Sequence, residues 1–103
     1  MQHTIIKNPN EYEIIYMSYK LSHDNYEQSY IELHLEKGGV VKKLKFTQPT
    51  ELEIEKGFTG NICGMEILDI NDKQLENIGV QVRNFEQDPG ITFLAKEVVE
   101  IND

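Results

Sequence analysis

The chain has 103 residues, 39% hydrophobic and 27% charged, which suits one compact domain over residues 1–103 and excludes both a disordered chain and two independent cores. Its formal net charge of -8 is one-sided, since residues 1–50 hold six acids and six bases while residues 51–103 hold twelve acids and four bases. Such a field disfavours nucleic acid and anionic lipid and favours encounter with a basic protein, although the plainer account is that the acidity keeps a small domain soluble.

At the start of the chain, Met1 to Pro9 shows no apolar run behind a basic segment, and nowhere is there an apolar stretch of the roughly 20 residues a membrane span needs. The expectation is a cytoplasmic protein that binds no membrane. From Tyr12 to Leu21 the apolar residues alternate, with Tyr12, Ile14 and Tyr16 on one face of a predicted strand and Glu13 and Ile15 on the other. A polar loop, Ser22-His23-Asp24-Asn25, follows.

The clearest alternation comes next, with Ile31, Leu33 and Leu35 facing a core and Glu32, His34 and Glu36 facing water. Lys37-Gly38-Gly39 supplies the positive backbone angles of a tight hairpin, and the returning strand sets Val40, Leu44 and Phe46 against Val41, Lys43 and Lys45. Val40 and Val41 compete for the core near the turn. After Gln48-Pro49, Leu52 and Ile54 point inward while Glu51, Glu53 and Glu55 point outward.

The stretch from Ile62 to Ile70 is apolar on both parities, the pattern of a central strand covered on both faces. Asn71 to Asn77 has room for one short helix or a loop. Val80, Val82 and Phe85 lead to the turn Gln87-Asp88-Pro89-Gly90, and Ile91, Phe93 and Ala95 return as a second hairpin. The last apolar group, Val98, Val99 and Ile101, continues or flanks that strand. The predicted fold is therefore mainly β: an antiparallel twisted sheet, sandwich or partly open barrel built from hairpins.

Chemistry is sparse along this chain. Glu32, His34 and Glu36 could offer ligands to a metal, but ordinary strand polarity accounts for them, and no metal is expected. Asp69-Ile70-Asn71-Asp72 lacks the later glycine and glutamate of a calcium loop. Cys63, the one cysteine, lies in an apolar strand with no base beside it and reads as a buried, inert thiol. The glycines Gly57, Gly60 and Gly64 are followed by no lysine-serine pair, so no nucleotide is expected either.

Lys42, Lys43 and Lys45 form one basic cluster, which fits a solvated hairpin or an edge strand better than a nucleic-acid site. The stripe Glu51, Glu53 and Glu55 stands out, because repulsion among three like charges on one strand is relieved by a basic partner or by salt. A guarded edge strand explains it as well.

The run Leu44-Lys45-Phe46, followed by Leu52 through Ile67 with Gly57-Phe58, Asn61 and Gly64, resembles a pattern in small bacterial immunity proteins of polymorphic toxin systems. The resemblance covers about half of the chain and implies a β-rich inhibitor that neutralises a cognate toxin by binding, without a cofactor. It also implies that Gly57, Phe58, Asn61 and Gly64 determine the fold rather than touch the partner. The combined expectation is a protein-binding domain that is not an enzyme, with Glu51, Glu53 and Glu55 meeting a basic toxin domain. The alternative is a structural β-domain that associates with itself, for example as a homodimer.

Overall fold

Strict alternation closes into a hairpin at the centre of the computed structural model, which describes residues 1–60, 62, 64–71, 76–86 and 89–101. Strands β2 (Tyr30–Lys37) and β3 (Val40–Thr47) pair antiparallel in unbroken register from Tyr30↔Thr47 to Lys37↔Val40. Gly38 and Gly39, at φ 57° and 85°, form their two-residue turn, the conformation that matches the natural twist of a hairpin. Both Val40 and Val41 end up exposed at its tip, so neither wins the core.

Strand β1 (Glu13–Lys20) pairs with β2, while β4 (Thr50–Ile54), β5 (Met65–Asp69), β6 (Val80–Asn84), β7 (Ile91–Ala95) and β8 (Glu97–Glu100) follow in the chain. Among the described residues they form two antiparallel four-stranded sheets, β1-β2-β3-β8 and β4-β7-β6-β5, with no closed barrel. Single 3-10 turns occur at Pro9–Glu11 and Tyr26–Gln28. Among the described residues no helix is long and apolar enough to cross a membrane.

The inner faces supply one continuous core. Ile31, Leu33, Leu35, Leu44 and Phe46 of the first sheet and Ile67, Val80, Val82, Ile91 and Phe93 of the second are all buried in it. Phe46 meets Phe93 edge to face, with ring centroids 4.9 Å apart, a contact worth ~1 kcal/mol beyond the area it buries.

The chain passes between sheets at Gln48–Pro49 and again at Lys96, and the two crossings are tied side by side. Lys96 N–H donates to the Thr47 carbonyl at 2.8 Å, and Gln48 N–H donates to the Ser29 carbonyl at 3.0 Å. The segment from Val98 therefore does not continue the second hairpin: β8 leaves that sheet and pairs with β3 from Leu44↔Glu100 to Thr47↔Glu97. This places β3 between two neighbours, so its lysines mark a hairpin strand and not an edge.

Two further expectations are corrected. Tyr16 does not share a face with Ile14, because the register shifts between Ile14 and Tyr16; the extra residue Ile15 turns Tyr16 outward, where it stacks on His34 at 4.5 Å. The 62–70 segment is not central either, since β5 lies at the end of its sheet. Its double-parity apolarity has a different cause: Ile62 and Ile70 lie beyond the strand's ends and are buried there.

Each sheet edge carries a feature that discourages further pairing. On β5 the N-terminal residues cover the edge, with Gln2 bridged to Leu68 and His3 N–H donating to the Ile67 carbonyl at 2.8 Å. Strands β1 and β4 are each interrupted by a register shift, and β8 has four residues. The expected short helix or loop at 71–77 falls mostly outside the described residues, as do Asn61, Cys63 and part of the turn before Pro89.

Candidate partner-binding site

The acidic stripe begins on β4, and the backbone there does not run as a plain strand. Register shifts between Thr50↔Leu94 and Glu53↔Thr92, and Glu51 takes a left-handed backbone angle, φ 55°. This is the geometry of a β-bulge, in which an extra residue bends the strand and re-aims its side chains. Leu52 still packs against the core. Ile54, opposite the buried Ile91, lies at the margin and is 50% exposed, so it is not the inward anchor that alternation predicts.

Glu51 and Glu53 both border one groove, of about 400 Å³, on the outer face of the second sheet. Gln81, Arg83, Thr92 and Leu94 line it as well. Cross-strand register explains the set: Gln81 pairs with Leu94, Leu94 with Thr50, and Thr92 with Glu53, so these side chains share the outward face. Arg83 is the one cation in the lining, and its Nε already donates to Glu66 Oε1 at 2.8 Å. Glu51 and Glu53 are exposed at the rim.

Glu55, the third member of the stripe, is used differently. Its Oε1 accepts hydrogen bonds from Gly90 N–H at 3.0 Å and from Asn84 Nδ2 at 3.3 Å, and its own N–H donates to the Gly90 carbonyl at 3.0 Å. The close approach requires glycine at position 90, where a Cβ would come within 2.5 Å of Asn84 Nδ2. Glu55 thus closes the end of β4 onto the β6–β7 connection, and the structure does not bring it into the groove with Glu51 and Glu53.

Glu32 and His34 face each other at 2.5 Å on the outer face of the first sheet. Among the described residues no group of three or more His, Cys, Asp or Glu is arranged to hold a metal ion. Gly57 has φ 93°, which favours glycine, and Phe58 packs against the core. A Cβ on Gly64 would come within 2.2 Å of Asn84 Oδ1.

Sequence reasoning missed a second concavity, at the corner where the sheets are linked. A cavity of about 540 Å³ is lined by Asp24, Tyr26, Gln48, Thr50, Glu76 and Asn77, together with Asn25 and Ile78. Tyr26 donates its hydroxyl to the Pro49 carbonyl, and burial, with Tyr19 nearby, pushes that hydroxyl above the usual phenol range. Thr50 lines the cavity and Glu51 the groove, so adjacent residues join the two. The polar Gln48 beside Pro49 was the available sequence signal.

Comparison of the chain with protein-family models, with curated proteins and with solved structures finds no match in any of the three.

Proposed function

We propose that this chain is a non-catalytic protein-binding domain of the immunity type, which neutralises a toxin by occupying a basic surface on it. The observation that carries the reading is the open groove that Glu51 and Glu53 border together, whose single lining arginine is already paired with Glu66. A surface of this kind attracts cationic partners, speeds their encounter and loses that advantage as salt rises. Because the bulge interrupts backbone pairing along β4, recognition proceeds through side chains and not through an added strand.

Binding fits this groove better than catalysis does. Acid–base work by two carboxylates needs environments that set them apart, through apolar enclosure of one or close coupling of the pair. Glu51 and Glu53 both stand exposed at the rim, and no histidine or cysteine joins them in the lining.

Co-expression with each product of the neighbouring genes, scored for a toxic one, tests the proposal. The expected result is restored growth and a complex that survives purification, that weakens between low and moderate salt, and that is lost with the double substitution E51K/E53K. Absence of a complex at both salt concentrations contradicts it.

A further inference from the structure

The corner cavity is bordered by a nearly buried amide that makes no side-chain hydrogen bond among the described residues. Gln48 is 8% exposed; its backbone N–H is donated to Ser29, but among the described residues no hydrogen bond reaches its side-chain amide. No buried side-chain nitrogen or oxygen is sealed from solvent without a partner, so this amide opens onto free space, and the space it borders is the cavity. Water reaches such an amide, and a ligand group that reproduces the hydrogen bonds of that water can take its place.

The lining says what such a ligand should be. Asp24 and Glu76 bring two carboxylates, Gln48 and Asn77 bring amide oxygens and Thr50 a hydroxyl, while no cation is among the lining residues. The Tyr26 ring borders the same space and is held in place by its hydroxyl bond to Pro49. An acceptor-rich pocket with an anchored aromatic ring suits guanidinium, which is planar, permanently charged, carries five donors and stacks on aromatic faces. Ammonium, a compact and strongly hydrated charge, uses such a wall less well.

We propose that the corner cavity is a guanidinium pocket that takes an arginine side chain of the protein partner docked along the Glu51–Glu53 groove. The assignment rests on the reading of that groove as the docking surface, and it adds the chemistry of one anchor residue on the partner. Continuity supports it, because the segment from Gln48 to Glu53 borders both concavities. A partner lying along the groove therefore has the cavity within reach of its next side chains.

The test uses the full chain in two-dimensional NMR, titrated with an end-blocked Gly-Arg-Gly peptide, with end-blocked Gly-Lys-Gly and with free arginine. The arginine peptide is expected to give saturable shifts at Gln48, Thr50 and Asn77, with an apparent Kd on the order of 1–10 mM. The isosteric D24N/E76Q variant, checked for an unchanged melting temperature, should weaken it by at least about fivefold.

Three results overturn the proposal: no saturable shift up to about 50 mM peptide, an equal response to the lysine peptide, or shifts that persist unchanged in D24N/E76Q. Tighter binding of free arginine than of the blocked peptide overturns the partner side chain as the occupant. E51K/E53K alters no cavity-lining side chain, so saturable shifts at Gln48 and Asn77 should survive in it, weakened only by the added positive charge. Failure of the pocket and failure of the groove are thus read separately.

Discussion

Glu55 and Gly90 are joined twice, once through Glu55 N–H to the Gly90 carbonyl and once through Gly90 N–H to Glu55 Oε1, each at 3.0 Å. A residue that sequence alternation groups with Glu51 and Glu53 is thereby set apart from them. It acts as a clasp between the end of β4 and the β6–β7 connection.

The clasp gives the first prediction. Glu55→Ala should lower stability by about 1 kcal/mol, since charge-assisted hydrogen bonds are stronger than neutral ones but this one is partly screened by solvent. Partner affinity should be unchanged. Urea denaturation gives the first quantity and titration calorimetry the second; a loss of affinity without loss of stability would place Glu55 in the interface after all.

Glu51 should behave in the opposite way. Its left-handed angle, φ 55°, strains a residue that carries a Cβ, so Glu51→Gly should raise stability by up to about 1 kcal/mol, the relief of strain less the added chain entropy. The same change should weaken the complex. A variant that is more stable and binds less well is the mark of strain kept at a binding site. Denaturant melts alongside calorimetry check both halves.

Acid should weaken the fold partly through Asp69. Its carboxylate accepts from Asn71 N–H at 3.0 Å, and chiefly for that reason its pKa lies below the ordinary aspartate value. Since the folded form holds its proton less tightly, the associated stability is present above the unfolded value, ~3.9, and is lost as pH falls through the lower folded value. Asp69→Asn should flatten the acid limb of a plot of melting temperature against pH over that window. An identical limb in the variant would remove Asp69 from the account.

The free chain should be a monomer. A covered β5, register shifts in β1 and β4 and a four-residue β8 all discourage edge-to-edge pairing. Light scattering over a hundredfold concentration range should return one constant mass. A mass that doubles would favour the self-associating alternative, with the exposed Ile15 at the bulge of β1 and Leu21 just past its end as the first residues to change.

Local alternation made much of this architecture legible. Ile31, Leu33 and Leu35 are fully buried, the Gly38–Gly39 turn has the expected angles, and Val82 and Phe93 meet across the second hairpin. What alternation could not show was where it breaks. An inserted residue at Ile15 leaves the composition of the strand unchanged yet turns Tyr16 to the other face, and the one beside Glu51 puts Thr50 and Glu53 opposite the outward Leu94 and Thr92. Sheet membership was also hidden, because Lys96 looks like part of an ordinary strand end until its N–H is seen bonded to Thr47. Of the acidic stripe, Glu51 and Glu53 were legible as outward residues, whereas the role of Glu55 depended on a glycine 35 positions away.

The most direct measurement is calorimetric titration of the purified toxin partner into the wild-type chain and into E51K/E53K, at low and at moderate salt, with folding of both chains verified by their melting curves. The groove account predicts that charge reversal weakens binding by at least about a hundredfold, on the scale of two close charge pairs made repulsive, and that wild-type affinity falls as salt rises. Equal affinity of the two proteins at both salt concentrations would contradict it.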